Sequence, residues 1–295
     1  MSDTIGLFGL GNMGDAVAAR LAAHGPVIGY DPDSGRATEA AGKHGIRLAA
    51  DLAEVAAAVG TVVLSLPTPA ISARVVADLA PRLAAGSMIV ETSTVNPSDV
   101  QALGALAEPY GVRLIDAAIL SGVKQMYEGT SMLLIGGADA DVAAAAPVLD
   151  ALAARQKHFG PLGSGMAAKV INNAVAHAVM VVLVEAGSMA RATGVSGHDL
   201  VELLIGEDAG LTRPLTHRFA ERVLRGEYDG GMPTEAARKD STLALGLAQD
   251  AEIPLFAIQA AHSVYELGLA EGLGRSDYAS IARLWERWTG RPLHE

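Results

Sequence analysis

The stretch TIGLFGLGNMGDAVAARLAAHG, residues 4–25, decides the fold of this chain. A short apolar strand leads through three glycines, spaced G-x-G-x-x-G, into a helix. Glycine at the first position permits a tight turn, at the second lets the backbone approach a pyrophosphate, and at the third lets the helix pack closely on its strand. The free amides of the helix N-terminus then face the phosphates. We therefore predict a dinucleotide-binding turn rather than a plain strand–helix connection, with contacts from Gly9, Leu10, Gly11, Asn12, Met13 and Gly14.

An acidic residue ends the next strand, PVIGYD (residues 26–31), about twenty residues after the glycines. Asp31 can accept hydrogen bonds from the adenosine ribose hydroxyls, and it would repel a 2′-phosphate. The nearest cation, Arg36, lies within the following helical segment rather than beside it. We expect NAD to be preferred over NADP; the alternative is a solvated loop acid.

Strand and helix patterns continue to alternate through the first half, with helices near 52–59 and 70–84 and strands at 61–67, 87–94, 112–120 and 131–137. This spacing predicts a doubly wound, mostly parallel α/β sheet. Such sheets bind ligands at the carboxyl ends of their strands. Contacts with the cofactor are therefore also expected from Leu66, Pro67, Ser93 and Thr94.

No strand pattern returns after KHFGPLGSG, residues 157–165. Helices are expected at about 166–193, 197–205, 215–224, 234–249 and 255–271. We predict a dinucleotide-binding domain over residues 1–163 and an all-helical substrate and dimerisation domain over residues 164–295, beginning with a long interdomain helix.

Composition limits the partners. The formal net charge of −11 argues against nucleic acid and anionic membranes, which need a basic surface, but leaves room for a small anionic substrate. The absence of cysteine excludes disulfides, thiolate catalysis and Cys-ligated metals, and we expect no metal. The beginning MSDTIGLFGLGNMG lacks a basic segment, and the longest apolar run, 178–184, is short of a membrane span. We expect a cytoplasmic protein with no membrane association.

One lysine interrupts the apolar helix that follows GPLGSG (residues 160–165). Lys169, Asn173 and His177 are spaced four apart and share one helix face. Burial beside a nicotinamide lowers the pKa of a lysine and lets it donate and accept a proton near neutral pH. His177 is more simply a helix-packing residue, and Lys239, taken alone, is a surface charge.

The order of these motifs resembles that of the β-hydroxyacid dehydrogenase family, which contains 3-hydroxyisobutyrate dehydrogenase. The resemblance covers nearly the whole chain and rests on GLGNMG (9–14), ETSTVNP (91–97), GPLGSGMAAKVINN (160–173), Glu185–Ala186 and KDSTLAL (239–245). It implies a Rossmann-type α/β domain followed by an all-α domain. It also implies hydride transfer between a nicotinamide cofactor and a small 3-hydroxyacid or its semialdehyde, in a homodimer or homotetramer that associates through the helical domain.

Residue roles follow from the same resemblance. Lys169 matches the general acid/base, and Asn173 matches the amide that orients the lysine and the substrate. Lys239 matches the lysine that closes on substrate and cofactor. Ser93 and Thr94 match the loop at the nicotinamide end.

The substrate loop departs from the family pattern D-x-P-V-S-G-G, because this chain reads DAAILSG over residues 116–122. With Asp116 held in register, Leu120 takes the serine position and Ser121 takes the first glycine. Either the serine has moved one place in a rebuilt loop, or an apolar wall has replaced the hydroxyl. We therefore expect the substrate to differ from 3-hydroxyisobutyrate and to be held by Leu120, Ser121, Gly122, Lys124 and Lys239, with Lys124 on its anionic end.

Two other functions remain open: reduction of C=N bonds, as in imine reductases of the same architecture, and non-catalytic nucleotide binding. The resemblance counts against both, since such relatives usually lack the lysine found here at Lys169.

Overall fold

An eight-stranded sheet forms the first part of the chain in the computed structural model, which describes residues 4–294. The strand order is β3-β2-β1-β4-β5-β6-β7-β8, and every neighbouring pair is parallel except β6–β7. This confirms the doubly wound, mostly parallel sheet. The strands are β1 (Ile5–Phe8), β2 (Val27–Tyr30), β3 (Arg47–Leu48), β4 (Thr61–Leu64), β5 (Met88–Glu91), β6 (Arg113–Leu120), β7 (Met132–Gly136) and β8 (Arg155–His158).

Helices connect the strands and then predominate in the rest of the described chain. Those of the first part are α1 (Asn12–Ala22), α2 (Ser34–His44), α3 (Leu52–Ala58), α4 (Pro69–Leu79), α5 (Pro97–Ala107), α6 (Val123–Tyr127) and α7 (Asp139–Leu152). They are followed by α8 (Ser164–Ala192), α9 (Gly197–Ile205), α10 (Thr234–Asp250), α11 (Ala257–Ala270) and α12 (Ala282–Thr289).

Apolar layers cover both faces of the sheet. Leu7 and Phe8 are neighbours on β1, yet each belongs to a different buried cluster, because successive side chains of a strand point to opposite faces. Helices on both faces make the central strands apolar throughout, as Val62–Leu64 of β4 illustrates. The sheet edge at the carboxyl ends of the strands is thereby left as the place where polar side chains can gather.

One predicted helix, 215–224, is wrong. The chain instead forms a π-helical turn over Pro214–Phe219 and a 3₁₀ turn over Val223–Arg225. Arg218 and Arg222 both lie within ion-pair distance of the buried carboxylate of Asp277, at 3.3 and 3.4 Å. These two ion pairs tie the irregular segment to Asp277.

The chain divides into two compact units within α8, one ending at Ala174 and the other beginning at Val175. The predicted boundary, 163/164, coincides with the start of that helix. By length and composition alone α8 could span a membrane, with a mean hydropathy of 1.7 over 18 residues. A single helix of this kind is weak evidence for a membrane protein.

Candidate functional site

A cavity of about 640 Å³ opens at the carboxyl edge of the sheet in the first unit. Its walls come from the turn after β1, from the segments that follow β2, β4 and β5, from the end of β6, and from α8. The lining residues are Gly9, Gly11, Asn12, Met13, Gly14, Asp31, Pro32, Asp33, Arg36, Ser65, Leu66, Pro67, Ile71, Thr92, Ser93, Thr94, Ile119, Ser121 and Lys169. Predicted cofactor residues and the predicted catalytic lysine thus line one cavity.

The glycines of the first turn have the different steric roles that their spacing predicts. A Cβ atom at Gly14 would lie 2.0 Å from the carbonyl oxygen of Gly9, so α1 packs directly on the turn. Gly9 has φ +92°, and a Cβ there would lie 2.1 Å from the carbonyl oxygen of Ser65. At Gly11 the nearest atom to an added Cβ is Arg36 Nη1 at 3.8 Å, so that position faces open space. This cradle fits a dinucleotide pyrophosphate.

Asp31 is fixed at the end of β2 by backbone amides. Its Oδ2 accepts a hydrogen bond from Leu10 N at 2.7 Å, and its Oδ1 accepts one from Asp33 N at 2.9 Å. The backbone amide of Leu10 therefore helps to fix the position of Asp31, whereas the side chain of Leu10 is buried in the core. Arg36 is exposed and lies 3.4 Å from Asp33.

The ends of β4 and β5 are joined through Ser93, whose Oγ accepts a hydrogen bond from Leu66 N at 2.7 Å. Thr92 Oγ1 donates to the carbonyl oxygen of Leu64 at 2.6 Å, which ties the same two strands together. Ser65 and Thr92 also line the cavity and are not predicted from the sequence, although their position just after a strand is a usable signal. Ile71 and Ile119 give no such signal, since one lies within a helix and the other within a strand.

Lys169 lies on the second turn of α8 and is buried, with 9 % of its surface exposed. This burial lowers the pKa of its ammonium group below the ordinary value of 10.5. The start of the helix is seated on the sheet, because a Cβ at Gly165 would lie 2.3 Å from the carbonyl oxygen of Leu134 on β7. The sheet therefore fixes where the lysine enters the cavity.

Asn173 is a predicted residue of the first unit that lies outside the cavity lining. Asn173, one turn beyond Lys169, is half-buried and its Oδ1 accepts a weak hydrogen bond from Asn172 Nδ2 at 3.4 Å. Lys239 lies on α10 in the second unit, exposed, with its Nζ 3.0 Å from Asp240 Oδ1. His177 is exposed.

The segment that follows β6 presents a hydroxyl to the cavity. Ser121 lines it and shares a 2.6 Å hydrogen bond with the buried hydroxyl of Ser131, whereas Leu120 packs against the apolar cluster beneath. Gly122 caps α6 and lies outside the lining. Lys124 on α6 has 83 % of its side chain exposed and lies 3.8 Å from Glu128. The structure thus brings Ser121, but neither Leu120 nor Lys124, to the cavity that contains Lys169.

Comparisons with known proteins agree with this geometry. A family model described as the NAD binding domain of 6-phosphogluconate dehydrogenase matches residues 4–160, and one described as the NAD-binding of NADP-dependent 3-hydroxyisobutyrate dehydrogenase matches residues 163–285. The chain is 30 % identical over 290 residues to 2-(hydroxymethyl)glutarate dehydrogenase of Eubacterium barkeri, covering 97 % of this chain and 96 % of the relative. It is also 30 % identical to the mitochondrial 3-hydroxyisobutyrate dehydrogenase of Homo sapiens, covering 94 % of this chain and 85 % of that one.

Solved structures show the same architecture. A 3-hydroxyisobutyrate dehydrogenase of Mycobacterium tuberculosis, solved with L-serine, aligns with a TM-score of 0.69 at 27 % identity, covering 95 % of this chain and 98 % of that chain. An imine reductase from Pseudomonas sp. aligns with a TM-score of 0.84 at 23 % identity, covering 95 % and 98 %. At that identity the second likeness concerns the fold alone.

Proposed function

The chain belongs to the β-hydroxyacid dehydrogenase family, and we propose that it transfers a hydride between a nicotinamide cofactor and a small 3-hydroxyacid or the matching semialdehyde. One observation carries this proposal: buried Lys169 lines the same cavity as the glycine turn and the strand-end segments Leu66–Pro67 and Ser93–Thr94. A dinucleotide laid along the turn extends across those strand ends toward the lysine. The bound nicotinamide supplies the hydride donor or acceptor.

Lys169 supplies the proton chemistry in this proposal. As a neutral amine it takes the hydroxyl proton while the alcohol is oxidised, and as an ammonium ion it protonates the carbonyl oxygen during reduction. Its lowered pKa brings both forms closer to the working pH. Asn173 orients the lysine and the substrate, and Lys239 acts from the helical unit.

The test is a panel of 3-hydroxyacids, semialdehydes and cyclic imines, assayed by nicotinamide absorbance with wild type and Lys169→Ala. We expect hydroxyacid turnover to fall by roughly 10²–10⁴ in the variant, because one general acid/base group is lost, while cofactor affinity persists. An unchanged rate would remove Lys169 from its assigned role. Turnover of imines without turnover of hydroxyacids would favour the imine reductase alternative, and cofactor binding without any turnover would favour a nucleotide-binding protein.

A preference for NAD over NADP is part of the proposal. Asp31 and Asp33 place two carboxylates at the end of β2, where a 2′-phosphate would be repelled. Arg36 is the opposing consideration, since it lines the same cavity and its partner Asp33 is exposed. The Asp31 carboxylate is held by two amides, and the charge of Arg36 is already paired with Asp33.

We also propose that the substrate differs from 3-hydroxyisobutyrate and that Ser121 is the loop hydroxyl that contacts it. The Ser131 hydroxyl orients Ser121 from below. A similar relative acts on 2-(hydroxymethyl)glutarate by its name, which makes larger, more polar 3-hydroxyacids the first compounds to assay. Much faster turnover of 3-hydroxyisobutyrate than of these would contradict this part.

The partner in this proposal is a second copy of the chain. Several apolar side chains of the second unit are exposed on α8 and α9, namely Val175, Met180, Val184, Val201, Leu203 and Ile205. Exposed apolar patches of this kind mark association surfaces. We expect a dimer or tetramer in light scattering, and dissociation after Leu203→Glu; a monomeric wild type would contradict it. The cytoplasm is the proposed location.

A further inference from the structure

Two carboxyl groups are buried side by side beneath the cavity. Glu91, the last residue of β5, is the register partner of Asp116 on β6, and both side chains are fully buried. Partners on neighbouring parallel strands point to the same face of a sheet, so the two carboxyl groups share one layer. Neither residue lines the cavity, and the reaction described above uses neither.

Both carboxyl oxygens of Asp116 accept hydrogen bonds from backbone amides at the start of α8. Its Oδ1 accepts a hydrogen bond from Gly163 N at 2.6 Å, and its Oδ2 accepts one from Met166 N at 2.7 Å. These amides belong to the first turn of the helix that carries Lys169, where negative charge is stabilised. Burial raises the pKa of Asp116 above its ordinary 3.8, and these amide hydrogen bonds oppose that rise by stabilising its ionised form.

Glu91 supports the cavity wall at the ends of β4 and β5 through only one of its two carboxyl oxygens. Its Oε1 accepts a hydrogen bond from Ser93 N at 2.7 Å. Ser93 Oγ in turn accepts a hydrogen bond from Leu66 N. Its Oε2 has no hydrogen-bond partner within residues 4–294, and neither has the buried Oγ of Ser72 on α4. Ser72 faces the same carboxyl group closely enough to act on its pKa.

Burial raises the pKa of Glu91 from 4.5 to about 7, against the opposing effect of its hydrogen bonds, and the neighbouring Asp116 raises it further. Ionising both of two adjacent, fully buried carboxyl groups is unfavourable in free energy. A proton on Glu91 Oε2 removes the repulsion, against the opposing effect of Ser93 and Ser72, which lower the pKa of this carboxyl group. Asp116 is the charged group that faces Glu91 from β6, and Ser72 and Ser93 are the hydroxyl groups that face it.

We propose that Glu91 is a positioning residue that keeps a proton within the Glu91–Asp116 pair and, in that form, holds the Ser93 and Leu66 segments in the shape that receives the nicotinamide end of the cofactor. When Glu91 is ionised, it is repelled by Asp116 on the neighbouring strand β6. The Ser93 segment then moves out of the shape that receives the cofactor. Cofactor affinity therefore declines as Glu91 ionises. The proposal rests on the proposed function in one respect, that the cavity binds a nicotinamide cofactor.

The first measurement detects the proton itself and needs no cofactor. Infrared difference spectra of the intact protein between pH 6 and pH 8 should show a buried protonated carboxyl band that is lost on raising the pH. The isosteric variant Glu91→Gln should lack that band. A wild type without the band, or a Glu91→Gln variant that retains it, overturns the proposal.

The second measurement is the dissociation constant of NADH between pH 6 and pH 8. If the ionised form does not bind, a group with its pKa near 7 weakens binding by about tenfold over this range. Glu91→Gln keeps an acceptor for Ser93 N, adds a donor for Ser72, and cannot ionise. We expect Glu91→Gln to bind NADH at pH 6 with the affinity of wild type, and to keep the same affinity at pH 8.

Leu83→Ala is the matched control, because Leu83 belongs to the same apolar cluster but precedes the amino end of β5. It should lower stability and leave the pH dependence of NADH binding unchanged. A Glu91→Gln variant with the wild-type pH dependence overturns the proposal while leaving the proposed function intact. Failure of wild type to bind NADH or NADPH at any pH contradicts the proposed function instead, and the infrared result still decides whether Glu91 carries the proton.

Discussion

Gly11→Ala should separate cofactor binding from folding. Gly11 is the N-cap of α1, with φ −69° and ψ −171°, a conformation open to alanine. An added Cβ meets nothing closer than Arg36 Nη1 at 3.8 Å. The cost to the protein without cofactor is the small preference for glycine over alanine at an N-cap, less than about 1 kcal/mol, or a few degrees in Tm at most.

The cost to the complex is much larger, because the new methyl group occupies the space through which the backbone approaches the pyrophosphate. Losing one charge-assisted hydrogen bond from this turn costs roughly 1.5–3 kcal/mol, which weakens binding roughly 10- to 150-fold. The measurements are thermal unfolding without cofactor and calorimetric titration with NADH.

Gly14→Ala is the matched comparison within the same motif. Its Cβ would lie 2.0 Å from the Gly9 carbonyl oxygen, so α1 has to move and the protein without cofactor loses roughly 1–3 kcal/mol or more. Binding of NADH by Gly11→Ala within threefold of wild type, or a loss of stability as large as that of Gly14→Ala, contradicts these roles of the two glycines.

Three further predictions concern charged groups. Hydroxyacid oxidation should rise with pH and level off below the ordinary lysine pKa of 10.5, because burial lowers the pKa of Lys169 and the neutral amine is the base; reduction should fall over the same range, and a pH profile with no such ionisation would contradict this role. Asp31→Asn should reduce the preference for NADH over NADPH by roughly tenfold, since one charge near the 2′-position is removed, and titration of both cofactors measures it. Glu185 accepts three amide hydrogen bonds from residues 256–258, at 2.6, 2.9 and 2.9 Å, and these outweigh its burial and lower its pKa from 4.5. A carboxyl group whose pKa is lower in the folded than in the unfolded protein stabilises the fold at pH values above its unfolded pKa, and this stabilisation is lost as the pH falls through its folded pKa. Glu185→Gln should therefore lower Tm at pH 7, and the difference in Tm from wild type should shrink below about pH 4.

Elements whose signals are local can be predicted from the sequence. The spacing of Gly9, Gly11 and Gly14 between an apolar strand and a helix fixed the cofactor turn, because turn geometry and helix packing depend on a few consecutive residues. The acid at Asp31 and the strand ends at Leu66 and Ser93 followed from the alternation of strands and helices. The same reasoning placed Lys169 on a helix beside a turn, although its burial and its cavity are properties of the folded chain.

Contacts between groups that are distant in sequence depend on the packing of the folded chain. Asp116 binds amides that lie 47 and 50 residues away, and it becomes the neighbour of Glu91 only through the register of β5 and β6. Ser121 lines the cavity and Leu120 does not, because successive side chains along β6 point to opposite faces, and the antiparallel pairing of β6 with β7 brings Ser131 to the Ser121 hydroxyl. Periodicity predicts the face that a residue occupies but carries no information about register between strands or about which carboxyl group a buried amide will find. Those interactions depend on how the elements pack, and they set the walls of the site around a lysine that local sequence had already placed.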